Sequence, residues 1–161
     1  MTSSTALPSR TSPLFWLYWL GPPLLLMGFI FWLGTDRASA AETRSLLERL
    51  LERWSPALLH QLSPEALVTA NVFIRKTGHF SGYGLLGLLN ARAVRGIRGT
   101  TTHQLLLGAW LAAAAWAAVD EYHQSFSASR GSSFEDVLLD SAGAALAIFL
   151  YQLWLSRKQR R

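Results

Sequence analysis

The chain has 161 residues, of which half are apolar, 12% are aromatic and 16% are charged. That length fits one domain, and the charged share falls well below the quarter usual in soluble domains. There is no cysteine, which excludes disulfides and thiolate metal sites. The net charge of +5 raises the question of a nucleic-acid partner, and its distribution along the chain argues against one.

Residues 14–33 carry no charge, and such a block matches the roughly 20 residues needed to cross a hydrocarbon core. Pro22 and Pro23 lie inside it. Prolines are tolerated in membrane helices, so a kink is expected and not a break. Trp16, Tyr18 and Trp19 near one end and Trp32 near the other suit membrane interfaces. Ala38-Ser39-Ala40 has the small-x-small pattern of a signal cleavage site, but the apolar block is longer than a signal core, which predicts a retained anchor.

Residues 35–75 are polar and punctuated by Pro56 and Pro64. Between Ala41 and Trp54, Leu46, Leu47, Leu50, Leu51 and Trp54 form one helical face with Glu and Arg around it. This predicts an amphipathic helix that either lies in the membrane interface or packs on the rest of the protein. A second short helix is expected from Pro64 to Arg75. Three more apolar blocks follow at about 78–94, 104–119 and 137–155. The first is diluted by Gly78, Gly82, Gly84 and Gly87, small residues that let membrane helices approach closely. The expected fold is all-α: a polytopic four-helix transmembrane bundle with an amphipathic segment outside the cytoplasm. Residues 1–13 form a cytoplasmic tail, 14–155 a single membrane domain and 156–161 a basic tail.

Charge sets the orientation. Alternate connections place Arg10, Arg92, Arg95, Arg98, Arg157, Lys158, Arg160 and Arg161 on one side, with no acid. The other side holds the remaining seven basic residues and all ten acids. Short basic connections stay cytoplasmic, so both termini are expected on the cytoplasmic side of the membrane. The basic excess is thereby a topology signal, and no nucleic-acid partner is expected.

A charge at the centre of a span costs about 2.5–3.5 kcal/mol on insertion scales, so polar residues beside spans need partners or water. Lys76, His79 and Tyr83 share one helical face by their spacings of three and four, and Asn90 extends that stripe inward. The third span ends in Asp120-Glu121-Tyr122-His123-Gln124-Ser125-Phe126. Trp116, Asp120 and Gln124 share a face, as do Glu121 and Ser125. The fourth span starts with Asp136 and, one turn deeper, Asp140. Arg130 and Gly131-Ser132-Ser133 precede it, a turn followed by a Ser N-cap with Glu135 and Asp136 in the first helical turn. Three helices thus bring acids, bases and an imidazole to one outer layer. Each residue also has a plainer role: Lys76 as a snorkelling cation, His79 as a packing residue, Tyr83 as an interfacial aromatic, Asp136 as a cap. Asp140, a turn further in, needs a partner, for which Lys76, His79 and Arg130 are the candidates. A metal site using His79, Glu121, His123 and the acids is a further alternative, but no His-x-x-Glu or similar ligand spacing is present, so no metal and no cofactor are assigned.

The run Lys76-x-x-His79-x-x-x-Tyr83, then Asp120-Glu121-x-x-Gln124-x-Phe126-x-x-x-Arg130, then Asp136-x-x-x-Asp140-x-x-Gly143 resembles the VanZ-like family over about residues 75–151. Asp140 stands near where that pattern usually has Asn, and Ala128-Ser129 where it often has Pro-Gly. The resemblance implies a small multi-pass membrane protein of the bacterial cell envelope. The namesake of the family is associated with low-level resistance to the glycopeptide teicoplanin.

Two functions fit the polar layer. One is binding of a glycopeptide, a lipid head group or an envelope precursor, with Lys76, Tyr83, Gln124, Arg130, Asp136 and Asp140 as the contact set and membrane lipid as the partner. The other is a membrane enzyme acting on a lipid-linked substrate. Asp120 or Glu121 would then be the general base, His79 its acid/base partner, and Lys76 or Arg130 the anion-binding group. A purely structural network tying the helices together is the third alternative.

Overall fold

The computed structural model describes residues 9–35, 39–99, 102–126 and 133–160. All regular structure among them is helical: α1 (Pro13–Leu33), α2 (Ala40–Trp54), α3 (Pro56–Gln61), α4 (Pro64–Arg98), α5 (His103–Gln124) and α6 (Phe134–Gln159).

Local chemistry sets most helix ends. The hydroxyls of Ser12, Ser39, Ser63, Thr102 and Ser133 each accept a backbone N–H from the first turn that follows, satisfying donors with no partner inside the helix. Pro13, Pro56 and Pro64 begin α1, α3 and α4, where the missing N–H costs nothing. Gly99 stops α4 at φ 77°, a left-handed geometry that an L side chain resists. Pro22 and Pro23 are absorbed within α1, which runs 21 residues without a break.

The expected short helix over Pro64–Arg75 does not exist as a separate element. It is the first part of α4, one continuous helix of 35 residues and about 52 Å long. After Pro64 the segment contains no proline, and Arg75 and Lys76 are good helix formers despite their charge. Similarly, α5 continues past Val119 to Gln124, so the acids and the glutamine occupy its last turns and not the loop.

α4 and α6 run parallel and pack along a seam of small residues. A Cβ added at Gly87 would lie 2.9 Å from the Ala144 Cα, and one at Gly84 3.3 Å from the Gly143 carbonyl oxygen; one at Gly143 would overlap the Phe80 carbonyl. These backbones meet because nothing protrudes between them. α1 and α5 run the opposite way. Trp19, near the start of α1, abuts Gly96 near the end of α4, and Gly34 after α1 abuts Asp120 near the end of α5. Ile30, Tyr83, Leu86, Ala113, Ala117 and Ala144 form the main core, with a second cluster of Ala91, Leu106, Ala109 and Ile148 beneath it. Polar ties cross the helices: Trp110 Nε1 donates to the Ser141 carbonyl at 2.9 Å and Asn90 Nδ2 to the Ala109 carbonyl at 3.2 Å.

The four expected glycine contacts of α4 divide into two kinds. Gly84 and Gly87 touch α6, whereas a Cβ at Gly78 or Gly82 meets nothing within 4 Å. α2 is bound to α4 where Asn71 Nδ2 donates to the Ala40 carbonyl at 2.9 Å. The apolar face of α2 stays largely open, with Leu46, Leu50 and Trp54 exposed.

Two helices, α1 and α6, are long and apolar enough to cross a membrane. In α1 only Phe15, Pro23 and Ile30 are buried, so a nearly all-apolar helix shows most of its surface, as a lipid-facing helix does. α4 is diluted by glycine and charge, and α5 is largely alanine between its polar ends.

Candidate functional site

Beyond the small-residue seam, toward their start, α4 and α6 carry two ionic rungs. Lys76 Nζ pairs with Asp136 Oδ1 at 2.5 Å, and one turn deeper His79 Nδ1 hydrogen-bonds Asp140 Oδ2 at 3.2 Å. Residues three apart on α4 face residues four apart on α6, the stagger expected of parallel helices in register. The seam holds the backbones close enough for a short aspartate to reach the imidazole.

The last turns of α5 complete the layer. Asp120 and Asp140 are each 1% exposed, and Glu121 and Gln124 are also buried. Asp120 Oδ2 accepts from Gln124 Nε2 at 2.9 Å and from the Tyr83 hydroxyl at 3.4 Å. Glu121 Oε2 accepts the backbone N–H of Ser133 at 3.0 Å. Ser133 is also the cap of α6, so one residue fixes the start of α6 and ties it to α5. α1 closes the fourth side: a Cβ at Gly34 would lie 2.8 Å from Asp120 Oδ1, and Phe31 stacks on His123 with ring centroids 3.9 Å apart.

The structure therefore brings together Lys76, His79, Tyr83, Asp120, Glu121, Gln124, Asp136 and Asp140. Arg130 lies outside the described residues. Asn90 does not join the group and serves the helix contact noted above. Ser125, expected on the face of Glu121, is exposed and donates to the Tyr122 carbonyl at 2.6 Å. Two contributors were not singled out from the sequence. Arg75, named there only as the end of a helix, lies in the field of Asp136 and Glu121, and the end of α1 covers Asp120. The contact between Gly34 and Asp120 has no local sequence pattern.

At the exposed edge, hydrogen bonding to Asp136 holds the Lys76 ammonium above its ordinary value. For half-buried Arg75, burial works against the charge, while Asp136 and then Glu121 work in its favour. It stays a cation throughout the physiological range.

Two cavities meet at Arg75 and His79. A groove of about 440 Å³ between α1 and α4 is walled by Leu26, Phe29, Ile30, Leu33, Ile74 and Leu85, floored by Gly78 and Gly82, and ends on Arg75, His79 and Tyr83. A cleft of about 170 Å³ continues beyond it, lined by Val72, Arg75, Lys76, His79, Gln124 and Asp136. An apolar channel thus opens onto a cationic and hydrogen-bonding head. Next to the head, one ligand atom each from His79, Glu121 and Asp140 lie within 4.8 Å of one another. These groups are able to exchange protons, hold an anion through Arg75, or ligate a cation.

A family model described as VanZ/LLP1 matches residues 16–155 of the chain. No curated protein and no solved structure matches it.

Proposed function

The chain belongs to the VanZ/LLP1 family, and from that premise we propose that it is a multi-pass membrane protein whose polar end binds the head group of an anionic envelope lipid. In this reading α1, α4, α5 and α6 all cross the bilayer, both termini lie in the cytoplasm, and the ionic layer faces outward. The charge distribution supports that orientation, since the end bearing Arg92, Arg95, Arg98, Arg157 and Lys158 has no acid.

The observation that carries the proposal is the junction of the two cavities. The groove wall is apolar, which suits an acyl chain. Its end presents the Arg75 guanidinium, a donor fork matched to phosphate, with His79 beside it.

Gly78 and Gly82 provide the test, because a side chain there enters open space. Purified protein should retain anionic phospholipid by native mass spectrometry. Gly82→Phe, which fills the groove, and Arg75→Ala, which removes the anion contact, should each reduce that retention about tenfold or more. Retention at the wild-type level in both would overturn the reading.

A second reading, a head-group-modifying enzyme, is favoured by the His79–Asp140 pair. A buried carboxylate fixing an imidazole beside further acids is the arrangement of an acid/base catalyst. Lipid recovered chemically altered after incubation supports it; lipid recovered unchanged supports binding alone.

A further inference from the structure

We propose that His79, Glu121 and Asp140 form a binding site for one divalent transition-metal ion, with Mn²⁺ or Zn²⁺ chemistry. The three residues come from α4, α5 and α6 and offer one imidazole nitrogen and two carboxylates, with ligand atoms all within 4.8 Å of one another. Ligands about 2.0–2.2 Å from a common ion, at tetrahedral or octahedral angles, stand roughly 3.0–3.4 Å apart. The 3.2 Å between His79 Nδ1 and Asp140 Oδ2 is such an edge. The remaining edges are no longer than 4.8 Å, so binding would draw those ligand atoms together by up to about 1.5 Å, a side-chain adjustment.

A second observation points to a ligand independently. Asp140 is 1% exposed and its Oδ1 has no hydrogen-bond partner among the described residues. A buried carboxylate oxygen left unpaired is costly, and an ion beside it removes that cost. The local charge agrees: Asp120, Glu121 and Asp140 are all buried, and the His79 imidazole lies against Asp140. Lys76 is held by Asp136, and Arg75 shares the field of Glu121 from the groove side. The surrounding hydrogen bonds resemble those that orient metal ligands. Ser133 N–H fixes one oxygen of Glu121, while Tyr83 and Gln124 hold Asp120 behind the site. Mixed nitrogen and carboxylate ligation favours Mn²⁺ or Zn²⁺ over Mg²⁺ or Cu⁺.

The experiment uses the purified full chain in detergent, without added lipid, so it does not depend on the lipid reading. Equilibrium dialysis against MnCl₂ or ZnCl₂ should load about one ion per chain, and Mn²⁺ electron paramagnetic resonance should show coupling to one imidazole nitrogen. His79→Gln, Glu121→Gln and Asp140→Asn should each weaken binding about 100-fold, whereas Glu48→Gln, on α2 and paired with Arg44, should bind as wild type. Gel filtration and thermal melts identify any variant that fails to fold, and the nitrogen coupling in wild-type protein tests the site without any substitution. No stoichiometric ion in wild-type protein, bound Mn²⁺ lacking nitrogen coupling, or unaltered binding in folded Asp140→Asn and Glu121→Gln would each overturn the proposal. Loss of lipid retention in Gly82→Phe with Mn²⁺ binding intact would separate the two sites of action.

Discussion

The two ends of the bundle are both charged, and they handle charge in opposite ways. At the basic end, Arg92 lies over the rings of Tyr18 and Trp19 at 4.9 and 4.7 Å, and Lys158 lies 5.3 Å over Trp154. Arg157 and Lys158 are exposed, and no acid is present there. Each cation is satisfied alone, by an aromatic face or by solvent. At the polar end the charges are of both signs and mostly buried, and each carboxylate has a named partner on another helix or on its own. A charge that can reach water is tolerant of its neighbours; a buried one depends on them. Substitutions at the polar end should therefore propagate, while those at the basic end should not.

The largest effect is expected at Asp140. Asp140→Ala removes the buried partner of His79 and should destabilise the protein by about 3 kcal/mol, read as a lower midpoint in chemical denaturation; the same change at Arg157 should leave the midpoint in place. Equal effects at the two positions would erase the contrast between the ends. Next comes the seam that makes the rungs possible. Gly143→Ala pushes a methyl into the Phe80 carbonyl and should cost about 2 kcal/mol by overpacking. Gly108→Ala, where a Cβ meets nothing within 4 Å, should be neutral or slightly stabilising. Tyr83→Phe takes one donor from buried Asp120 and should cost about 1 kcal/mol, a smaller loss because Gln124 still donates to the same oxygen.

The smallest effect belongs to the outer rung. Lys76 is 49% exposed in its side chain, so Lys76→Ala should cost no more than about 0.5 kcal/mol and less in high salt. Its pH dependence has a definite sign. Since Asp136 raises the Lys76 value above 10.5, the contribution of the pair is complete below that pH. It fades as pH rises through the folded-state value. A melt between pH 9 and 12, compared with the Lys76→Ala variant, checks this; a loss on going down through that window instead would show that another group governs it.

Much of this architecture is legible in residue order because it rests on local physics. Hydroxyl caps, prolines at first turns and a 20-residue uncharged block act within a few residues of themselves. The faces carrying Lys76, His79 and Tyr83, or Asp120 and Gln124, follow from the helical repeat. Continuity of α4 was less legible, because a charged pair in mid-segment resembles a boundary when only hydropathy is weighed, although it does nothing to the backbone. The metal-capable triad shows no ligand spacing in the sequence because its members come from three helices, at positions 79, 121 and 140.

Helix type, helix limits, the uneven charge of the two ends and the kinds of residue that gather at one end were set by the chain locally, through capping, periodicity and charge. Which acid pairs with which base was set by packing. Lys76 takes Asp136 and His79 takes Asp140 because the glycine and alanine seam fixes how far α4 slides against α6. The separation of Gly78 and Gly82 from Gly84 and Gly87, one pair opening a groove and the other closing a seam, has the same origin: identical residues differ only in what stands opposite them.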